Sequence, residues 1–256
     1  MNIYVIMKRT FDTEEKIAIE NGEISDDGVN FIINPYDEYA IEEAIKLRDD
    51  NDGEVTVVTV GEEEAEKELR TALAMGCDKA VLINNEDVED YDQFSTTVIL
   101  AKYFEDKEYD IILGGNVTMD NGTGQIGPRL AEKLGIAHVS TIVDLKLKGE
   151  KLTVERDAEG DAEVIEVSLP VIVTAQQGLN EPRYPSLPGI MKAKKKPLEV
   201  LELDDLDLDE DDAEGLTESV EVFLPPEKAA GKVLEGDMED QVQELVKLLR
   251  TEAKVI

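Results

Sequence analysis

The chain has 256 residues, 41% of them hydrophobic, and a formal net charge of −34. That size and composition support a packed core and exclude a disordered chain, while the charge repels nucleic acid and anionic membrane surfaces. One cysteine excludes an intramolecular disulfide and any CxxC-type centre, and no apolar run reaches the about 18 residues of a membrane span, so a cytoplasmic location is the expectation.

Residues 1–8 are too short and wrongly flanked for a signal peptide and read as a first strand over 3–7. Further apolar runs of strand length lie at 55–60, 80–83 and 111–113. Between them apolar residues recur at helical spacing: Ala40, Ile41, Ala44, Ile45 and Leu47; then Ala65, Leu69, Ala72 and Leu73, stopped by Gly76. Val98, Ile99, Ala101 and Phe104 predict a third helix, and Ile126, Leu130, Ala131 and Leu134 a fourth. Such alternation predicts an α/β fold, a mostly parallel, doubly wound, Rossmann-like sheet covered on both faces. After Gly135 the pattern changes. Leu145 and Leu147, a Lys148-Gly149-Glu150 turn, then Leu152 and Val154 predict a hairpin, with a third strand around Val164, Ile165 and Val167. The run at 170–174 predicts a buried strand, so late antiparallel strands extend the sheet. Residues 1–200 form the predicted α/β domain. Residues 202–214, almost all acidic, read as a solvated linker, and Val242, Leu245, Val246, Leu248 and Leu249 stripe a final helix in a C-terminal arm over 201–256.

Ligands of open parallel sheets bind beyond the carboxyl ends of the strands. Three stretches fall there: Lys8-Arg9, Asn34-Pro35-Tyr36-Asp37, and the run from Gly114 to Pro128, with five glycines in its first fourteen residues. Glycines let backbone N–H groups approach a phosphate and a helix N-terminus adds partial positive charge, which suits an anionic cofactor better than a metal. An ordinary glycine-rich connection is the competing reading. Asn34, Pro35 and Asp37 also read as plain helix capping. His138, the sole histidine, reads as structural or superficial, and no carboxylate pair or nucleophile stands out, so a cofactor has to carry any redox chemistry. Residues 180–196 differ from the rest. Prolines 182, 185 and 188 stiffen them, Leu187, Ile190 and Met191 are apolar outside any strand, and four lysines crowd into 192–196. A packed loop with solvated lysines is the bland reading; a partner-docking element with apolar anchors beside a cationic patch is the sharper one.

The segment LNEPRYPSLPGIMKAKKK (179–196) resembles the recognition region of the electron transfer flavoprotein small (beta) subunit. YVIMKR (4–9), NPYDEYAIEEAIKL (34–47), TALAMG (71–76), TGQIGP (123–128), LTVERD (152–157), LPPEKAAGK (224–232) and the terminal KVI resemble the same family in the same order. The resemblance implies an adenine nucleotide alpha hydrolase-like fold. It also implies a heterodimer with a large (alpha) subunit that holds the redox-active FAD, and a second nucleotide in this chain. That nucleotide is a structural AMP in one branch; in the other it is a second FAD, at which electrons from NADH are split between two acceptors. The implied contacts are Ile6, Asn34, Tyr36, Asp37, Val60, Thr118, Met119, Asp120, Asn121, Gly122, Thr123, Gly124, Gln125, Ile126 and Gly127. Docking to an acyl-CoA-type or other flavin dehydrogenase is implied for Leu187, with Ile190, Met191, Lys192 and Lys195 beside it; the two lysines match positions methylated in some members. The loop 120–128 is closer to the GDT-x-QVGP form of the FAD branch than to the DDxNQTGQ form of the AMP branch. It departs from the former at Asn121-Gly122, as does Asn116-Val117-Thr118 from the usual Lys/Arg-Gln-Ala. FAD is therefore favoured over AMP, and a nucleotide-binding regulatory module without redox work is the reading of another class.

Overall fold

A computed structural model describes residues 1–89, 91–226 and 230–256; part of the LPPEKAAGK stretch lies outside them. The first strand, β1 (Asn2–Ile6), is followed by two small antiparallel ribbons: β2 (Arg9–Phe11) pairs with β5 (Phe31–Ile33), and β3 (Ala18–Glu20) with β4 (Glu23–Ser25). These short strands were not legible in the sequence. Then come α1 (Pro35–Asn51), β6 (Glu54–Val60), α2 (Glu66–Met75), β7 (Lys79–Ile83), α3 (Gln93–Glu105), β8 (Ile111–Gly115) and α4 (Ile126–Leu134). The later elements are β9 (Ala137–Lys148), β10 (Lys151–Ala158), β11 (Asp161–Ser168), β12 (Val171–Ala175), α5 (Leu187–Ala193), β13 (Leu198–Leu201), α6 (Glu210–Ala213) and α7 (Met238–Leu248).

Nine strands make one sheet in the order β11-β10-β9-β12-β8-β1-β6-β7-β13. All neighbours from β9 to β13 are parallel, and β9, β10 and β11 are antiparallel at one edge. The α/β, doubly wound reading therefore holds. Continuous apolar runs arise because both faces are buried. Along β8, Ile111 and Leu113 join a core shared with α1 and α2, while Ile112 joins a second core with α3 and α4. In β12 Val171 and Val173 go one way and Ile172 the other. The chain leaves β1 for β6 and β7 on one side, then returns through α3 to β8 on the other. That reversal opens a crevice between the carboxyl ends of β1 and β8.

The acidic stretch after β13 is no free linker. Leu203, Leu208 and Ala213 are buried in the α3 face while the carboxylates between them stay outside. The apolar positions, too sparse to register as periodic, are enough to bind it to the body. In α7 no residue is buried, and Val242 and Leu245 remain exposed.

Candidate functional site

The crevice holds a cavity of about 200 Å³. Ile6, Val58, Val60 and Leu100 supply an apolar wall, and Thr118, Asn121, Thr123, Gly124, Gln125 and Gly127, with the apolar Ile126 among them, a mostly polar one. Met7, Lys8, Asp37, Gly115, Asn116 and Val117 close its floor at the strand ends, and Tyr91, Asp92, Gln93 and Thr96 of the α3 entry close the far side.

The first turn of α1 clamps this floor. Asp37 accepts the Lys8 N–H at 2.8 Å and the Gly115 N–H at 2.7 Å, so one buried carboxylate ties the exits of β1 and β8 together. Burial pushes its pKa up to about 7, against the pull of those two amide bonds. Gly115 is required there, because a Cβ would lie 2.4 Å from Asp37 Oδ1. Asn34 occupies the N-cap position without making a side-chain cap bond. Its Nδ2 donates to Val117 O at 3.0 Å and its Oδ1 accepts the Met119 N–H at 3.2 Å. The capping reading of Asn34 is thus corrected: the side chain is spent on the loop after β8. Pro35, fixed in φ and lacking an N–H, starts the helix unaided.

Of the residues singled out from sequence, Ile6, Asp37, Val60, Thr118, Asn121, Thr123, Gly124, Gln125, Ile126 and Gly127 line the cavity. Asn34 and Tyr36 stand behind its floor, while Met119, Asp120 and Gly122 sit on the outer, exposed turn of the loop. Asp120 pairs with Lys8 Nζ; burial raises its pKa, but that bond helps hold the carboxyl below the usual range. Arg9 does not reach the cavity. It pairs with buried Glu68 and stacks 3.4 Å over the Phe31 ring. Behind the loop His138 is half-buried, its Nε2 without a partner and 3.0 Å from where a Cβ on Gly127 would sit. Burial lowers its pKa, with help from nearby Arg156, and keeps the ring neutral. Sequence reasoning missed the α3 wall. Its signal was Asp92-x-x-Ser95, whose side chains cap each other's backbone at the start of α3.

The donor set fits a phosphate. At the start of α4 the N–H groups of Ile126 and Gly127 have no intrahelical partners, whereas Pro128 has no N–H and Arg129 donates to Gln125 O; Thr118, Thr123 and Gln125 add neutral donors, and Lys8 adds charge that a phosphate would share with Asp120. The apolar wall fits an aromatic base, and no group of His, Cys, Asp or Glu among the described residues could hold a metal.

The second predicted element, residues 180–196, leaves the body through anchored polar contacts. Arg183 makes a bidentate pair with Glu42, and Asn180 donates to Tyr39 O and to Glu43. Ser186 then caps α5 through the Gly189 N–H. On α5 Leu187 is 81% and Met191 69% exposed, and Ile190 is half so; Lys192 and Lys195 are exposed beside them. The apolar tips therefore point outward from a fixed helix. Two reciprocal caps fix it. Arg70 of α2 donates to Ala193 O and Lys196 O at the end of α5, while Lys196 Nζ donates to Leu73 O and Cys77 O at the end of α2. Lys196 is thus withdrawn from the cationic patch that the sequence assigned to four lysines. Gly189 lies so close to α2 that a Cβ would be 2.5 Å from Ala74 O.

A family model described as "Electron transfer flavoprotein domain" matches residues 22–206. The chain is 65% identical to the electron transfer flavoprotein subunit beta of Bacillus subtilis (strain 168), over 100% of both chains. It is 41% identical to the protein of that name from Syntrophomonas wolfei, covering 100% of this chain and 98% of the relative. It is 36% identical to the caffeyl-CoA reductase-Etf complex subunit CarD of Acetobacterium woodii, covering 94% of this chain and 95% of that one.

Proposed function

Since the chain belongs to the electron transfer flavoprotein family and serves electron transfer as its beta subunit, we propose that the β1–β8 cavity holds an adenine nucleotide and that a large alpha subunit completes the functional unit. The observation that carries this is the floor of the cavity. Asp37 takes the N–H groups of two strand exits and Asn34 bonds the glycine loop through both ends of its amide, which fixes the loop that leads to the unpaired N–H groups of Ile126 and Gly127 at the cavity. Those amides and Lys8 hold the phosphate, and Ile6, Val58, Val60 and Leu100 shield the base from water.

FAD is the nucleotide we favour. The loop places no bulky side chain between Asn121 and Gly127 apart from Gln125 and Ile126, and a relative carries a reductase–Etf complex name. A bound flavin supplies reversible one- and two-electron transfer, and with NADH as donor this permits bifurcation. The exposed tips of α5 dock a flavin dehydrogenase of the acyl-CoA type, with Leu187 as anchor and Lys192 and Lys195 steering an acidic partner surface. Residues 1–200 act as the nucleotide-binding domain, and the exposed stripe of α7, with the chain leading to it, packs on the large subunit. No helix among the described residues is long and apolar enough to cross a membrane, and we place the heterodimer in the cytoplasm.

Flavin stoichiometry tests the reading. Two FAD per purified heterodimer, with reduction by NADH, are expected. One FAD and one AMP would assign the chain to the structural-nucleotide branch, and no adenine nucleotide beyond the large subunit's flavin would overturn the cavity's role.

A further inference from the structure

Asp92 stands where the cavity wall and the root of the C-terminal segment meet. Its Oδ1 accepts the N–H groups of Phe94 at 2.6 Å and Ser95 at 3.2 Å, capping α3. Its Oδ2 accepts the Leu216 N–H at 3.0 Å and the Thr217 hydroxyl at 2.9 Å, from a part of the chain 124 and 125 residues away. The same residue lines the cavity, with Gln93 and Thr96 of the first turn that it caps. Thr96 in turn donates to the Tyr91 hydroxyl at 2.6 Å, extending the wall. Beyond Thr217 the chain runs exposed, with Val220 92% and Phe223 73% accessible.

We infer that Asp92 is a positioning residue for the cavity, and that through it the seating of the C-terminal segment is linked to nucleotide retention. This rests on the nucleotide reading above. The physical chain is short. With residues 216 and 217 in place, the Asp92 carboxylate is saturated by four donors and its charge is engaged away from the ligand. Burial alone would raise its pKa, but the bonds from Thr217, Ser95, Phe94 and Leu216 outweigh it and hold the group ionised. If the segment lifts, Oδ2 loses both of its partners. The freed carboxylate then turns, the α3 cap loosens, and Gln93 and Thr96 move with it, while a negative charge no longer shared with residues 216 and 217 lies beside an anionic ligand. Linkage is reciprocal, so bound nucleotide also holds the root of the segment in the position from which it reaches a partner.

The test uses the purified heterodimer with Thr217→Val and Thr217→Ser. Thr217 is exposed, so neither change threatens folding. Adenine nucleotide released from the protein is followed over time after gel filtration, by chromatography of the filtrate. Thr217→Val should release nucleotide about three- to tenfold faster than the unaltered protein, the factor for one charge-assisted hydrogen bond transmitted in part. Thr217→Ser keeps the hydroxyl and should stay within about twofold. Equal release from all three forms overturns the linkage and leaves the nucleotide reading standing. Release from Thr217→Ser as fast as from Thr217→Val overturns it as well, since the hydroxyl would then not be the acting group. A heterodimer that carries no such nucleotide in any form overturns the nucleotide reading and the linkage together.

Discussion

Replacing Asn34 by Asp separates two roles that the sequence leaves entangled. As an N-cap, Asp serves as well as Asn, and its charge near the helix N-terminus is mildly favourable, so a capping role predicts no loss of stability. The structure predicts a large one. Asn34 is fully buried, and its amide both donates to Val117 O and accepts from Met119 N. Aspartate keeps the second bond and loses the first, worth about 1 kcal/mol, and leaves a buried carbonyl facing a carboxylate at about 1–3 kcal/mol more. The sum, about 2–4 kcal/mol at pH 7, has a natural ceiling. The new carboxyl can take up a proton instead, at a cost of about 1.4 kcal/mol per pH unit above its usual value near 3.9, or about 4 kcal/mol at pH 7. Protonated, it can donate to Val117 O and restore the lost bond. Its folded pKa is therefore raised, and the deficit should shrink as pH falls from 7 towards 5. Urea unfolding at a series of pH values measures this as a shift of the midpoint at constant slope. A variant as stable as the parent at pH 7 would show that Asn34 only caps α1; a deficit that stays constant between pH 5 and 7 would refute the buried-carboxylate reasoning.

Four further outcomes follow from the same geometry. Asp37, buried with its pKa raised to about 7, holds a proton in the folded state that it has released in the unfolded chain above about pH 4. Stability should therefore fall as pH rises through that window, and Asp37→Asn should flatten the slope by about 1.4 kcal/mol per pH unit; parallel slopes in urea titrations would count against the shift. Gly115→Ala sets a Cβ 2.4 Å from Asp37 Oδ1 and should cost about 1–3 kcal/mol together with bound nucleotide, read as nucleotide per mole of protein. Leu187→Ala, at an 81% exposed position, should change the melting temperature little while raising the KM of electron transfer with a flavin dehydrogenase; lost flavin content would instead make the segment structural. With 60 acidic against 26 basic residues, at least 34 carboxylates have no cation of their own, so raising KCl from 0.1 to 1 M, which shortens the screening length from about 10 to about 3 Å, should raise the urea midpoint. An unchanged midpoint would mean that the surface charge is without cost to the fold.

The layered fold was legible because its signals are local. Strand-length apolar runs such as 55–60, helical stripes such as Ala40 to Leu47, and stops such as Gly76 each report on residues adjacent in the chain. The glycine loop was legible for the same reason, as was the oddity of residues 180–196. The small ribbons β2–β5 and β3–β4 and the edge strand β13 were not, because strands of three or four residues carry too little periodicity to register. The acidic stretch misled because three buried apolar residues outweigh many carboxylates that remain in water. Other features depended on long-range contact. Asn34 pattern-matches a cap and acts as a bridge to Val117 and Met119; Lys196 reads as one of a basic run and caps α2; Asp92 reads as the start of a helix and holds residues 216 and 217. In each case the side chain's type and its place on an element were set by the sequence. Which distant backbone group took up its hydrogen bonds was set by the packing of the sheet, because a buried polar group must be satisfied by whatever the fold brings within about 3 Å.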